Sequence, residues 1–177
     1  MSLNSKFHIP NSTVAFTLIE FAIYIAVASG LATAAGAIAL NALFAKTKLA
    51  AVEEVASNGR FALEIITGRI ERARNINNPA AGLSASTLSL QMSNAGADPT
   101  EFDLSSGRLR MREGTGAFVE LTSDEVTVTN LVFRNLSHFS TPGAVRMQIT
   151  VETSGAAGQQ EYAFGETFFG AAALRGN

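Results

Sequence analysis

Glu20 is the residue that asks most of its surroundings. It is a carboxylate at the mouth of a run, Phe21 to Ala45, that carries no charged side chain. A run of about 25 residues is long enough to cross a bilayer. An ionised carboxylate within hydrocarbon costs on the order of 3 kcal/mol unless it is paired or protonated. The nearest fixed cations are Lys6, in the opening segment, and Lys46, past the far end of the run. The chemistry open to Glu20 is therefore ion pairing, either at a lipid–water interface or with another molecule.

Three further groups carry chemistry. Asp98, Glu101 and Asp103 cluster where a loop enters a strand, and carboxylates of that kind offer oxygens to calcium. The full ligand loop with its glycine is missing, so a solvated turn is the preferred reading. Arg108, Arg110 and Arg112 alternate with Leu109 and Met111 and share one strand face. They suit either a phosphate-contacting ribbon or a plain polar sheet face. Glu101, Asp103 and Glu113 around them favour the polar face. His138 is a lone imidazole in a loop, without the positioned partners that catalysis needs. No nucleophile elbow, phosphate loop, zinc spacing or dinucleotide fingerprint is present. We therefore expect no enzyme activity, no catalytic or metal-binding residues and no cofactor.

Composition narrows the classes further. The 177 residues suit one compact domain with an appendage. A net charge of −2 without a basic block argues against a dedicated nucleic-acid surface. The absence of cysteine excludes disulfides, thiol nucleophiles and a lipoprotein anchor.

Four segments position these groups. Residues 1–15 form a short polar lead-in with Lys6, His8 and Pro10. Residues 16–45 read as a continuous helix, dense in Ala, Gly and Ser. Such small-sided helices pack closely where lipid gives no hydrophobic drive. A filament-core helix and a single generic span both fit that composition. Gly30 and Gly36 each cost about 1 kcal/mol in an exposed helix and mark where it can loosen. Residues 46–75 read as an amphipathic helix. Its stripe is Leu49, Val52, Ala56, Gly59, Leu63, Ile66, Ile70 and Ala73. Asn75 to Pro79 should end it.

Residues 76–177 read as a β-rich head. Leu88, Leu90 and Met92 alternate, as do Phe102 and Leu104, and Leu109 and Met111 after a turn at Ser105-Ser106-Gly107. Phe118 to Leu121 reads as a short strand. Val126 to Leu136 is strand-like with a slip near Asn130, which predicts a bulge. Val145, Met147, Ile149 and Val151 give the cleanest strand. Tyr162, Phe164 and Phe168 suggest a last one, with Gly170 to Asn177 a loose tail. Phe168 and Phe169 cannot both face inward in a strand, so one is available to a neighbour. The expected fold class is α+β: a long N-terminal helix packed on a C-terminal antiparallel β-sheet.

Val14-Ala15-Phe16-Thr17-Leu18-Ile19-Glu20, followed by the long apolar helix, resembles the processing site of type IV prepilins and of type II secretion pseudopilins. The resemblance covers Val14 to Arg74 well and the remainder only in layout. It implies a pilin-like fold, cleavage between Ala15 and Phe16 by a prepilin peptidase, and N-methylation of Phe16. It also implies an assembly role for Glu20, which would pair with the free amine of Phe16 on a neighbouring subunit. The family usually has Gly where Ala15 stands, and it often has a Pro in the helix that this chain lacks.

The implied partners are the peptidase, other pilin or pseudopilin subunits, an inner-membrane assembly platform, and membrane lipid before assembly. The implied location is the bacterial cytoplasmic membrane, crossed once, with the leader in the cytoplasm and the head outside. Later the subunit would sit in a pilus or pseudopilus. Lys46 and Lys48 after the span, against Lys6 before it, would by themselves favour the opposite orientation. We read the chain as a minor pilin or minor pseudopilin. The alternatives are a filament-borne adhesin or DNA-binding pilin, with nucleic acid as its partner, and a signal-anchored domain that never polymerises.

Overall fold

The computed structural model describes residues 17–138, 142–154 and 163–175. The chain divides into two units, Met1–Phe44 and Ala45–Asn177. Helix α1, Leu18–Arg72, supplies the described helix of both. In the first unit every described side chain is exposed, the apolar ones included.

In the second unit nine strands follow α1: β1 Ala73–Asn78, β2 Ser84–Ala85, β3 Leu88–Met92, β4 Thr100–Ser105, β5 Arg108–Glu113, β6 Val119–Glu120, β7 Val126–Asn135, β8 Ala144–Thr153 and β9 Gly165–Ala173. They form two antiparallel sheets rather than one. The first runs β1-β3-β4-β5-β6 and the second β2-β7-β8-β9. The α+β class stands, with its β part divided.

One turn links the two sheets. The β4–β5 hairpin turns at Ser106 and Gly107, both at positive φ (52° and 75°), the backbone of a type I′ turn. Gly107 O accepts the Val128 N–H at 2.8 Å, which ties this turn to β7. A Cβ on Gly107 would lie 2.7 Å from Thr127 Cγ2, so the approach requires glycine.

A single core fills the space between α1 and the two sheets. Val55, Ala62, Ile66 and Ile70 come from the helix. Leu88, Leu90, Phe102 and Leu109 come from the first sheet, and Phe133, Met147, Ile149 and Phe168 from the second. The buried stripe of the helix is Val55, Asn58, Gly59, Ala62, Ile66 and Ile70. This corrects the expected stripe. Leu49 is 67% exposed, and Val52, Ala56 and Leu63 are only half-buried. The reason is the Phe168 ring, which sits where a Cβ on Gly59 would be, 2.2 Å from Cε2. The helix rotates its smallest residues, Gly59 and Ala62, towards the sheets.

Asn58 is the polar exception on that face. Its Oδ1 accepts the Ser123 N–H at 2.9 Å, and its Nδ2 donates to Glu54 Oε1 at 2.8 Å. Ser123 Oγ also donates to Glu54 Oε1, which closes the network. Asn58→Ala strands the Ser123 N–H and should lower stability by about 1–3 kcal/mol. Urea unfolding of the full chain checks this through a lower midpoint at unchanged slope.

Two boundaries differ from expectation. The helix ends at Arg72, and Ala73 already pairs with Met92 in β1. Asn75 is therefore a strand residue and not a helix cap. Register shifts fall between Ala73 and Asn75 and between Ile76 and Asn78. They let Ala73 and Ile76, three apart, both point inward, which hides the strand from a period-two reading. The last strand starts at Gly165, after Phe164, and runs through Gly170 to Ala173. The expected loose tail is therefore largely strand: Gly170 pairs with Met147, and Ala172, nearly buried, with Val145. Tyr162 lies outside the described residues.

Candidate functional site

The start of α1 is built from Thr17 and Glu20. Thr17 Oγ1 accepts the Glu20 backbone N–H at 3.3 Å, and Thr17 O accepts the Phe21 N–H at 3.1 Å. Thr17-Leu18-Ile19-Glu20 thus has the spacing and half the bonding of a capping box. Sequence reasoning missed Thr17, although the Thr-x-x-Glu spacing is its signal. The carboxylate of Glu20 also lies in the first turn, where the helix dipole favours negative charge. Ala15 and Phe16, the expected cleavage and methylation residues, lie outside the described residues, as does the whole leader.

Beyond Glu20 the helix carries no charge until Lys46 and is mostly apolar, with Ser29, Thr33 and Asn41 as the small polar exceptions. Phe21, Ile23, Leu31, Ile38, Leu43 and Phe44 are all more than half exposed. At about 1.5 Å per residue this segment spans about 37 Å, more than the hydrocarbon core of a bilayer. It is long and apolar enough to cross a membrane. Its hydroxyls are satisfied internally: Ser29 Oγ donates to Ala26 O at 3.0 Å and Thr33 Oγ1 to Ser29 O at 2.8 Å. A Cβ at Gly30 or Gly36 would meet nothing within 4 Å. Among the described residues, nothing packs closely enough on either glycine to require it.

The facing charges of β4 and β5 are spent on one another. Arg110 forms a bidentate pair with Asp103 (Nε–Oδ1 3.0 Å, Nη2–Oδ2 2.7 Å), and Arg112 pairs with Glu101 through both Nε and Nη2. The hydrogen bond to Asp103 raises the Arg110 pKa above its ordinary value, so the guanidinium stays charged. Both guanidinia stack on Phe118, at 4.4 and 4.7 Å from its ring centre. Glu113 takes Arg69 at 2.8 Å, and Glu71 takes Arg175 at 3.2 Å.

Asp98 Oδ1 accepts the Met92 N–H at 2.8 Å. The acidic trio is thus divided among a backbone amide and two arginines. Among the described residues no three His, Asp or Glu come together as a metal site. His138 lies just past β7, beside a recess lined by Arg74, Asn75 and Leu174. Phe168 is buried while Phe169 is 58% exposed, so the outward one of the pair is Phe169. No family model, curated protein or solved structure matches this chain.

Proposed function

We propose that this protein is a structural subunit of a type IV pilus or type II secretion pseudopilus, in a minor role, assembled through its N-terminal helix. One observation carries the reading. Directly after Phe16-Thr17-Leu18-Ile19-Glu20, the helix presents a long, uncharged and mostly apolar surface that no described residue of its own unit covers. Such a surface needs lipid or other helices. The pilin resemblance supplies both in turn: membrane for the precursor and sister helices after assembly.

In this reading a prepilin peptidase cuts after Ala15 and methylates the new amine of Phe16. Glu20 then draws the subunit into register by pairing with the Phe16 amine of a neighbour. Small residues about Gly30 and Gly36 permit close helix approach, and the β-rich head is displayed outside the cytoplasmic membrane. Of the three arginines on β5, Arg110 and Arg112 are held by Asp103 and Glu101, which lowers their value as phosphate ligands.

The test is the mass of the N-terminal peptide of protein taken from its own membrane. The expected result is a start at Phe16 with one added methyl group. A Met1 start in cells with active prepilin peptidase would overturn this reading and leave a signal-anchored domain that does not polymerise.

A further inference from the structure

The outer face of the second sheet carries a charge arrangement that the fold does not need. Arg134 on β7 and Arg146 on β8 are direct partners in the strand register. Both are exposed, while their chain neighbours Phe133, Asn135, Val145 and Met147 are buried. Like charges directly opposite each other on adjacent strands are unfavourable. The other sheet avoids this, since Arg110 faces Asp103 and Arg112 faces Glu101 across β4 and β5. Among the described residues neither Arg134 nor Arg146 forms an ion pair or a hydrogen bond. The Arg146 guanidinium lies over the Phe169 ring, 6.0 Å from its centre.

The surroundings of the pair are matched to it. Across the sheet one row reads Ser84, Arg134, Arg146, Ala171, and the next reads Val132, Gln148, Phe169. A recess of about 260 Å³ opens among Ser84, Val132, Gln148 and the two arginines. A pair of uncompensated guanidinia beside an exposed phenylalanine is thus framed by small and uncharged side chains.

We propose that this face docks an acidic segment of a partner protein. A carboxylate of that segment settles between Arg134 and Arg146, and an apolar neighbour covers Phe169. Charge complementarity chooses the occupant: two guanidinia converge on one carboxylate through charge-assisted hydrogen bonds, which strengthen once water is excluded. Arginine and aromatic residues are also the types that concentrate at protein interfaces. A nucleic acid is disfavoured because it needs a basic track, and Arg110 and Arg112 are already paired with carboxylates. The inference concerns the head alone and does not depend on filament assembly.

The test uses the full chain in its own cells, with p-benzoylphenylalanine in place of Ala171, which is exposed and adjoins Arg146 in the row. Illumination should yield a cross-link to a protein peptide that contains Asp or Glu. Arg134→Glu together with Arg146→Glu should cut the yield at least about tenfold. Changing the partner's acidic residue to Lys should restore it, a rescue that a misfolded head could not show. A nucleic-acid adduct, no protein adduct, a cross-linked segment without carboxylates, or a yield indifferent to charge reversal would each overturn the proposal.

Discussion

Glu20→Val should leave the precursor in the membrane and still processed, but should reduce its incorporation into filaments by about tenfold or more. Valine makes the span more apolar, so insertion does not suffer. On the proposed pilin reading, what is lost is the charge that would pair with a neighbouring amine, and about 1.4 kcal/mol already corresponds to tenfold. Capping complicates the comparison, because Glu20 also occupies the third position of a Thr-x-x-Glu start. Two controls separate the roles. Glu20→Gln keeps a side chain suited to the capping box and loses only the charge. Thr17→Ala removes the cap, typically about 1 kcal/mol, and keeps the charge. The pairing model expects both Glu20 variants to fail and Thr17→Ala to assemble. Sheared filament fractions, compared with membrane fractions by immunoblot, give the readout. Full incorporation of Glu20→Val would end the pairing model.

The second large effect is expected at Gly59. A β-branched side chain there must displace the Phe168 ring or push the helix off the second sheet, because the first added carbon already lies 2.2 Å from the ring. Overpacking of this kind costs typically 1–3 kcal/mol. For a head of this size, Gly59→Val should lower Tm by roughly 5–10 °C. Phe168→Leu in the same chain should recover part of that loss, since it empties the colliding space. A Tm for Gly59→Val equal to that of the parent would mean that the helix and β9 do not meet as described.

Much of the head was legible because alternation and turn chemistry agree. The β4–β5 hairpin, the clean alternation of β8 and the slip near Asn130 all have counterparts in the structure; the slip is a register shift between Val128 and Asn130. What was illegible shares one cause: the deciding partner is distant in sequence. β1 places inward residues three apart because bulges intervene, and that spacing mimics a helix end. Ala171 to Ala173 have little strand propensity of their own; their place at β8 makes them a strand. The rotation of the helix stripe is set by Phe168, which no local pattern around Gly59 announces. Two sheets instead of one follow from which strands neighbour each other, and alternation is silent on that. Of the candidate site, Glu20 and its apolar run were readable directly. Thr17 was readable in principle. The opposition of Arg134 and Arg146 required the register.

The seating of Phe168 over Gly59 also has a temporal consequence. The helix residue leaves the ribosome roughly a hundred residues before the ring that covers it, and Arg175, whose backbone N–H bonds Glu71 O at 3.2 Å, comes later still. Contacts between such distant parts of a chain form slowly. During biosynthesis the stripe Val55 to Ile70 therefore remains uncovered on its β9 side until the end of the head has emerged. The head of this chain is thus kept open while the rest is synthesised, and it closes with β9. Sequence order alone thus sets when the helix stripe is covered on that side.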